Sequence, residues 1–357
     1  MASGGRLAKL RAEMAAADVD GLLIAHGPNR KYMTGFAGSA GYVLVSQSEA
    51  LLLTDFRYME QAAAQAPAFT VIRHAARSAE TIAEQAARLG IRRFGVEARH
   101  VTMSVLRTLQ EAIGCAELIP TEDVVEKLRD VKDEAEIQVL EQAARIAETA
   151  FEETLALVRP GVAERELAAE LDYRMRRHGA DCGWFPFIIA SGERSALPHG
   201  TASDKAIASG EFVTFDFGAI VDGYLSDITR TVFVGTPTSR HKEIYGIVLE
   251  ANQCAIAGLR PGMTGKEGDA LGRNVIAAHG YGDYFGHGLG HGIGLEIHER
   301  LRLSRESDSV LEPGNVLTVE PGIYLPGFGG VRIEDDVLVT RTGVRTLTSL
   351  PRELIAL

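Results

Sequence analysis

The turn Arg159-Pro160-Gly161 recurs as Arg260-Pro261-Gly262, and this internal duplication constrains the chain more than any other feature. The same offset of 101 residues aligns Glu166 with Glu267, Ala169 with Ala270, and His178-Gly179 with His279-Gly280. Each copy reads as a turn, a helix and a glycine stop. At a slightly different offset, Gly210-Glu211-Phe212-Val213-Thr214-Phe215-Asp216 resembles Gly314-Asn315-Val316-Leu317-Thr318-Val319-Glu320, so both copies end a strand-like run on a carboxylate. Repeats of this kind predict duplicated helix-and-sheet units that face each other across a pseudo-twofold axis, with their acidic ends converging.

The duplication occupies only part of the 357 residues, a length at which chains usually divide into two cores. Residues 1–128 alternate helical and strand-like patterns: a helix over Arg6 to Ala17, strands at Gly21 to Ala25, Tyr42 to Val45 and Ala50 to Thr54, a helix from Ser78 to Leu89, and a strand at Arg93 to Glu97. This predicts a small α/β domain. Gly35, Gly38, Ser39 and Gly41 lack the full spacing of a dinucleotide-binding run and read as a tight loop. Asp133 and Glu136 form a capping box ahead of an apolar stripe at Ile137, Leu140, Ala144, Ala147, Phe151 and Leu155, which opens a second domain over 129–357.

A formal net charge of −11 opposes binding to nucleic acid and to anionic membrane surfaces. The start Met1-Ala2-Ser3-Gly4-Gly5 runs into charged sequence without a long apolar stretch, so a cytoplasmic location is expected. Cys115, Cys182 and Cys254 are widely spaced and read as reduced thiols, which leaves oxygen and imidazole groups as the available metal ligands.

If Asp222-Gly223 forms a two-residue hairpin turn, position 216 opposes 229 and position 218 opposes 227, placing Asp216 and Asp227 on one face. Tyr224 to Val234 reads as the return strand. A second reversal through Gly327, Phe328, Gly329 and Gly330 brings Glu320 towards Glu334. Between these pairs lies a glycine-rich run, Gly286 to Glu299, that carries His287, His291 and His298. Four carboxylates and an imidazole make a mostly oxygen-ligand site suited to two divalent cations.

The segments SALPHG ending at Gly200, FDFGAIVDGYLSDITRT ending at Thr231, GHGLGHGIGLEIHE ending at Glu299, VEPGIY ending at Tyr324 and VRIED ending at Asp335 carry a resemblance to the pita-bread metallopeptidases. The chain is most similar to their Xaa-Pro aminopeptidase and Xaa-Pro dipeptidase (prolidase) branch. The resemblance implies an α/β creatinase-like N-terminal domain over 1–128 and an α+β pita-bread catalytic domain over 129–357. It implies that Asp216, Asp227, His291, Glu320 and Glu334 hold two divalent ions, manganese first, with cobalt or zinc as alternatives. His199, His298 and Glu320 match catalytic positions of the family, His287 a substrate-binding position, and Arg332 a residue that organises Asp227 or another acid.

The activity so implied is hydrolysis of the N-terminal Xaa-Pro bond of short proline-containing peptides by a homodimer. An aminopeptidase is expected from the GFAGSAG and TDFRY segments and from the lack of an assigned carboxylate-binding arginine among Arg300, Arg302 and Arg332. A strict dipeptidase is the alternative. A non-catalytic protein-binding module is a third reading, against which the intact ligand motifs argue. Relatives carry a proline in the segment that here reads His298-Glu299-Arg300-Leu301-Arg302, which leaves the rim of the site open to change.

Overall fold

The long helix Glu134–Leu155 begins as its sequence requires: the Asp133 side chain accepts from Glu136 N at 3.0 Å, and Glu136 Oε2 accepts from Asp133 N at 2.9 Å. This computed structural model describes residues 3–183 and 186–357. Met1 and Ala2, part of the start from which a cytoplasmic location is expected, lie outside the described residues. The chain divides into two units, Met1–Arg129 and Asp130–Leu357.

In the first unit six strands lie in the order Thr70–Arg73, Ala50–Thr54, Tyr42–Ser46, Gly21–Ile24, Arg93–Glu97, Glu117–Thr121. The sheet is mixed: Gly21–Ile24 runs antiparallel to Tyr42–Ser46 and parallel to Arg93–Glu97. Gly21–Ile24 is fully buried and Tyr42–Ser46 is buried except at Tyr42, as their apolar runs demand. The first helix spans Ser3–Ala16, close to the expected bounds, while Gly27–Thr34 is a helix that the sequence reading did not anticipate. Gly35 ends that helix at φ 77°, and the Arg30 guanidinium donates to Gly38 O at 2.7 Å and Gly41 O at 2.8 Å. The glycine-rich segment is therefore a tight loop folded round an arginine.

The second unit contains the duplication. Helices Glu164–Arg177 and Gly265–Ala278 follow the two Arg-Pro-Gly turns. Gly161 and Gly262 adopt φ of 92° and 88°, and Gly179 and Gly280 close the helices at φ of 100° and 85°. The backbone bonds repeat as well: Gly161 N donates to Ile207 O at 2.9 Å where Gly262 N donates to Leu311 O at 2.8 Å, and Ile207 N returns to Val162 O as Leu311 N returns to Met263 O.

Strand Glu211–Phe217 pairs antiparallel with Ile228–Val234, with Asp216 opposite Thr229 as expected. The register continues past a break, with Ile220 opposite Leu225 and Val221 opposite Tyr224, and closes on Asp222 and Gly223 at φ of 44° and 74°, a type I′ turn. The single return strand expected from Tyr224 to Val234 is in fact two, Tyr224–Leu225 and Ile228–Val234. At the gap Ser226 N still donates to Ala219 O, but Ser226 Oγ accepts from Ala219 N and the Asp227 N–H donates to Asp336 Oδ2, so side-chain acceptors replace part of the ladder there. In the other half, Val316–Val319 pairs with Asp335–Val339 and Gly322–Leu325 with Gly329–Arg332, all in one register that sets Glu320 against Glu334. Two apolar clusters back these sheets with helices, and Phe212 and Phe233 of the first half join the cluster built mainly from the second.

Candidate metal centre

Asp216 is the penultimate residue of a buried strand, Asp227 sits at the break in its partner, and Glu320 and Glu334 flank the second hairpin. His291 arrives on the glycine-rich segment: His291 N donates to Thr318 Oγ1 at 3.0 Å, and Glu320 N donates to Leu289 O at 2.8 Å. Glycine is required there, because a Cβ on Gly290 would stand 1.9 Å from Thr318 O. All five expected ligands line one cavity of about 510 Å3, together with His199, His287, His298, Arg302 and Arg332.

Donor atoms of Asp227, His291 and Glu334 lie within 4.8 Å of one another. His291 Nε2 is 3.6 Å from Asp227 Oδ2 and 3.4 Å from Glu320 Oε1. Its Nδ1 faces Gly292 O at 3.2 Å, which assigns the proton to Nδ1 and leaves the Nε2 lone pair directed at the acids. Burial pushes the His291 imidazolium down to about 3, so the ring is neutral at ordinary pH. Asp216 Oδ1 and Asp227 Oδ1 are buried and accept from no group among the described residues. Buried acceptors without donors, around a neutral imidazole, fit a cation.

The electrostatics agree. Burial, then the neighbouring Glu334 and Asp216, raise Asp227 well above the usual carboxylate range, and burial, then Glu320 and Asp216, does the same to Glu334. Burial also pushes Glu320 up to about 8, with Arg332 opposing. Arg332 donates to Asp216 Oδ2 at 2.5 Å and, through Thr229, bonds indirectly to Glu334: Arg332 Nε to Thr229 Oγ1 is 2.9 Å and Thr229 Oγ1 to Glu334 Oε2 is 2.6 Å. Its acidic partner is thus Asp216 and not Asp227. One guanidinium against this many carboxylates leaves negative charge for a cation to balance.

His287 donates through Nδ1 to Gly288 O at 2.8 Å and accepts through Nε2 from Tyr324 Oη at 2.9 Å, while Arg332 donates to the same hydroxyl at 2.9 Å. Burial holds His287 neutral, with its imidazolium down to about 4. The exposed His298 ring meets His291 edge-on at 4.3 Å between centroids, and burial followed by Arg302 lowers its imidazolium. His199 sits exposed on the cavity wall beside Pro198.

Sequence reasoning missed Thr229, Thr318 and Asp336, whose hydroxyls and carboxylate hold the candidate ligand residues. It also missed the Asp269–Arg273 pair, which supports the glycine-rich segment: Arg273 donates to Phe285 O and His287 O, and Asp269 Oδ1 accepts from Leu289 N. Asp335 Oδ1 accepts from Arg230, so this acid beside Glu334 is taken up by an ion pair. In the N-terminal unit His26, His100 and Glu126 also gather, but the two imidazoles stack at 3.6 Å and 5°, which aims their lone pairs along parallel planes and not at one point.

The duplicated fold and its acid-and-imidazole cavity define a metallopeptidase of the pita-bread class. The chain belongs to metallopeptidase family M24, whose model matches residues 138–341, and residues 6–131 match the creatinase/prolidase N-terminal domain; within the family it falls in the Xaa-Pro amino-/dipeptidase branch. It is 51% identical to an uncharacterised peptidase of Bacillus subtilis, across 99% of this chain and 100% of that one. Among solved structures it is similar to an Xaa-Pro dipeptidase from Bacillus anthracis (51% identity, TM-score 0.98, 99% and 100% covered). It is also similar to an X-Pro aminopeptidase from Thermotoga maritima (41% identity, TM-score 0.91, 97% and 100% covered). No helix among the described residues is long and apolar enough to cross a membrane.

Proposed function

We propose that this chain is a dinuclear metal-dependent Xaa-Pro dipeptidase, with Asp216, Asp227, His291, Glu320 and Glu334 as the ligands. The observation that carries the dipeptidase reading is Arg302. Arg300 is engaged by Asp130 and Arg332 by Asp216, but the Arg302 guanidinium, on the wall of the same cavity, donates only to the carbonyls of Glu299 and Leu301 among the described residues. An exposed guanidinium with no acid of its own suits the free carboxylate of a terminal proline, by charge-assisted hydrogen bonds. This moves the reading away from the aminopeptidase expected from sequence, which rested on the GFAGSAG and TDFRY segments together with the lack of such an arginine. Curated relatives from Pyrococcus horikoshii and Pyrococcus furiosus, both 42% identical, bear the name Xaa-Pro dipeptidase and point the same way.

Divalent cations bound here supply Lewis acidity and a water of lowered pKa, with manganese the first ion to test. The chain's own groups do the rest. Pro186, Ile188, Pro198 and Ile297 give the cavity an apolar wall against which a proline ring packs. Glu320 takes the proton of the attacking water and passes it towards the departing proline nitrogen. His298, neutral and at the rim, donates to the oxygen on which negative charge develops. His287, fixed by Tyr324, orients the peptide, and His199 closes the wall beside it.

Comparison of kcat/KM for Ala-Pro, Ala-Pro-Ala and Ala-Ala-Ala at saturating manganese tests the reading. Ala-Pro is expected to be cleaved best. Better cleavage of Ala-Pro-Ala than of Ala-Pro would return the assignment to aminopeptidase, and a preference for Ala-Ala-Ala would remove proline specificity from both.

A further inference from the structure

Glu299 stands next to His298 in sequence but turns away from the cavity. His298 is exposed, whereas the Glu299 carboxylate is 4% exposed and meets Lys132 Nζ, itself 1% exposed, at 2.7 Å. Its other oxygen accepts from Leu295 N at 3.1 Å, and Glu299 N donates to Gly292 O at 2.8 Å. The absence of a side chain at Gly294 permits this, since a Cβ there would lie 2.7 Å from Glu299 Oε1. The Glu299 carbonyl then accepts from the Arg302 guanidinium. One residue therefore anchors the segment from Gly292 to Arg302 internally, and its carboxylate hands that anchor to Lys132.

Lys132 is held in turn by the strand that leads to Glu320. Lys132 N donates to Gly314 O at 2.9 Å, Val131 bridges Asn315, and Asn315 Nδ2 donates to Asp130 O at 3.0 Å. Two buried charges, with the Asp130–Arg300 pair close by, cost desolvation that a pair of neutral side chains of like volume would not. What the ion pair adds is direction: a short donor-to-acceptor contact that fixes where the loop stands.

We propose that Lys132 is a positioning residue for the free-carboxylate end of the substrate, acting through Glu299 to hold Arg302 and His298 at the cavity wall. This rests on the assignment of Arg302 made above. Neither Lys132 nor Glu299 lines the cavity, so their effect on recognition passes entirely through the loop.

The test uses the full chain loaded with manganese and two substrates, Ala-Pro and Ala-Pro amide, which differ only in the terminal carboxylate. The unmodified protein should prefer the free acid. Lys132→Met/Glu299→Gln removes both charges and avoids the uncompensated ion that a single replacement would leave. It should remain folded and keep its metal content. KM for Ala-Pro should rise, and the preference for acid over amide should fall, by about tenfold, because small misplacements of a binding group are magnified in rate. The milder Lys132→Arg keeps the charge on a fork of different reach and should shift the preference by about threefold; it carries the test if the double variant does not fold. A purely structural role lowers the active fraction for both substrates and leaves their ratio unchanged, and an unchanged ratio in a folded variant overturns the inference. No preference in the unmodified protein would overturn the Arg302 assignment itself, and this inference with it.

Discussion

The two halves of the catalytic unit share a backbone and differ in what hangs from it. Both run from an Arg-Pro-Gly turn through a fourteen-residue helix to a strand with an acid at or just past its end, and matching bonds join each turn to the segment before that strand. Between helix and strand they part company. Residues 179–210 of the first half contribute His199 to the cavity, whereas residues 280–313 of the second contribute His287, His291, His298 and Arg302. The parts that have stayed alike depend on backbone geometry, which many sequences satisfy. The parts that have diverged are the connections, where side chains can change without disturbing the sheets.

The strongest way to break the comparison is to treat the two acidic pairs as equivalent. Glu320 is assigned ligation and proton transfer, so Glu320→Gln should lower kcat by roughly a thousandfold, a size typical for removal of a reacting group. Turnover and metal content must be measured on the same sample. Near-normal turnover at full metal occupancy would leave Glu320 with no role beyond that of its counterpart, Asp216.

The second test uses pH. Burial sets the Glu320 carboxyl at about 8 in the metal-free protein, above its ordinary 4.5. A group raised on folding contributes stability that is present at low pH and lost as pH rises through its folded value. The metal-free protein should therefore lose stability as pH rises through about 8, while cation binding, which requires the ionised carboxylate, strengthens over the same window. The gap in Tm between manganese-loaded and metal-free protein should widen from about pH 5 to about pH 8 and level off above that. A constant gap would mean that Glu320 does not exchange its proton for the ion.

The smallest effect bears on the likeness of the halves. Gly161 and Gly262 share a left-handed backbone, and a Cβ at either would meet nothing within 4 Å. Gly161→Ala and Gly262→Ala should each destabilise by about 1–2 kcal/mol through backbone strain alone. Urea unfolding that gives clearly unequal losses would show that the two turns carry different loads despite their common shape.

Much of this was legible in the sequence because it depends on local chemistry. Asp222-Gly223 dictates a turn type, the turn dictates the register, and the register sets Asp216 opposite Thr229. The capping box at Asp133 and the duplicated turns are equally local. The break at Ser226-Asp227 was not legible, because it depends on Asp336 reaching in from the other half. Nor were the partner of Arg332, the Thr229 bridge to Glu334 and the Lys132–Glu299 pair, each of which joins residues far apart in the chain. Arg302 was visible as a residue, but its lack of an acidic partner appears only once Arg300 and Arg332 have found theirs.

The hairpin closed by Asp222-Gly223 also limits how this chain can change in length. Side chains on a strand alternate faces, so one residue inserted between Asp227 and the buried strand Ile228–Val234 would swing the Asp227 carboxylate from the cavity to the opposite side. A residue added at the turn itself would only lengthen the loop, since hairpin connections of several lengths keep the pairing of their arms. Length can therefore vary at the tip of this hairpin without displacing Asp227, and cannot vary at its base.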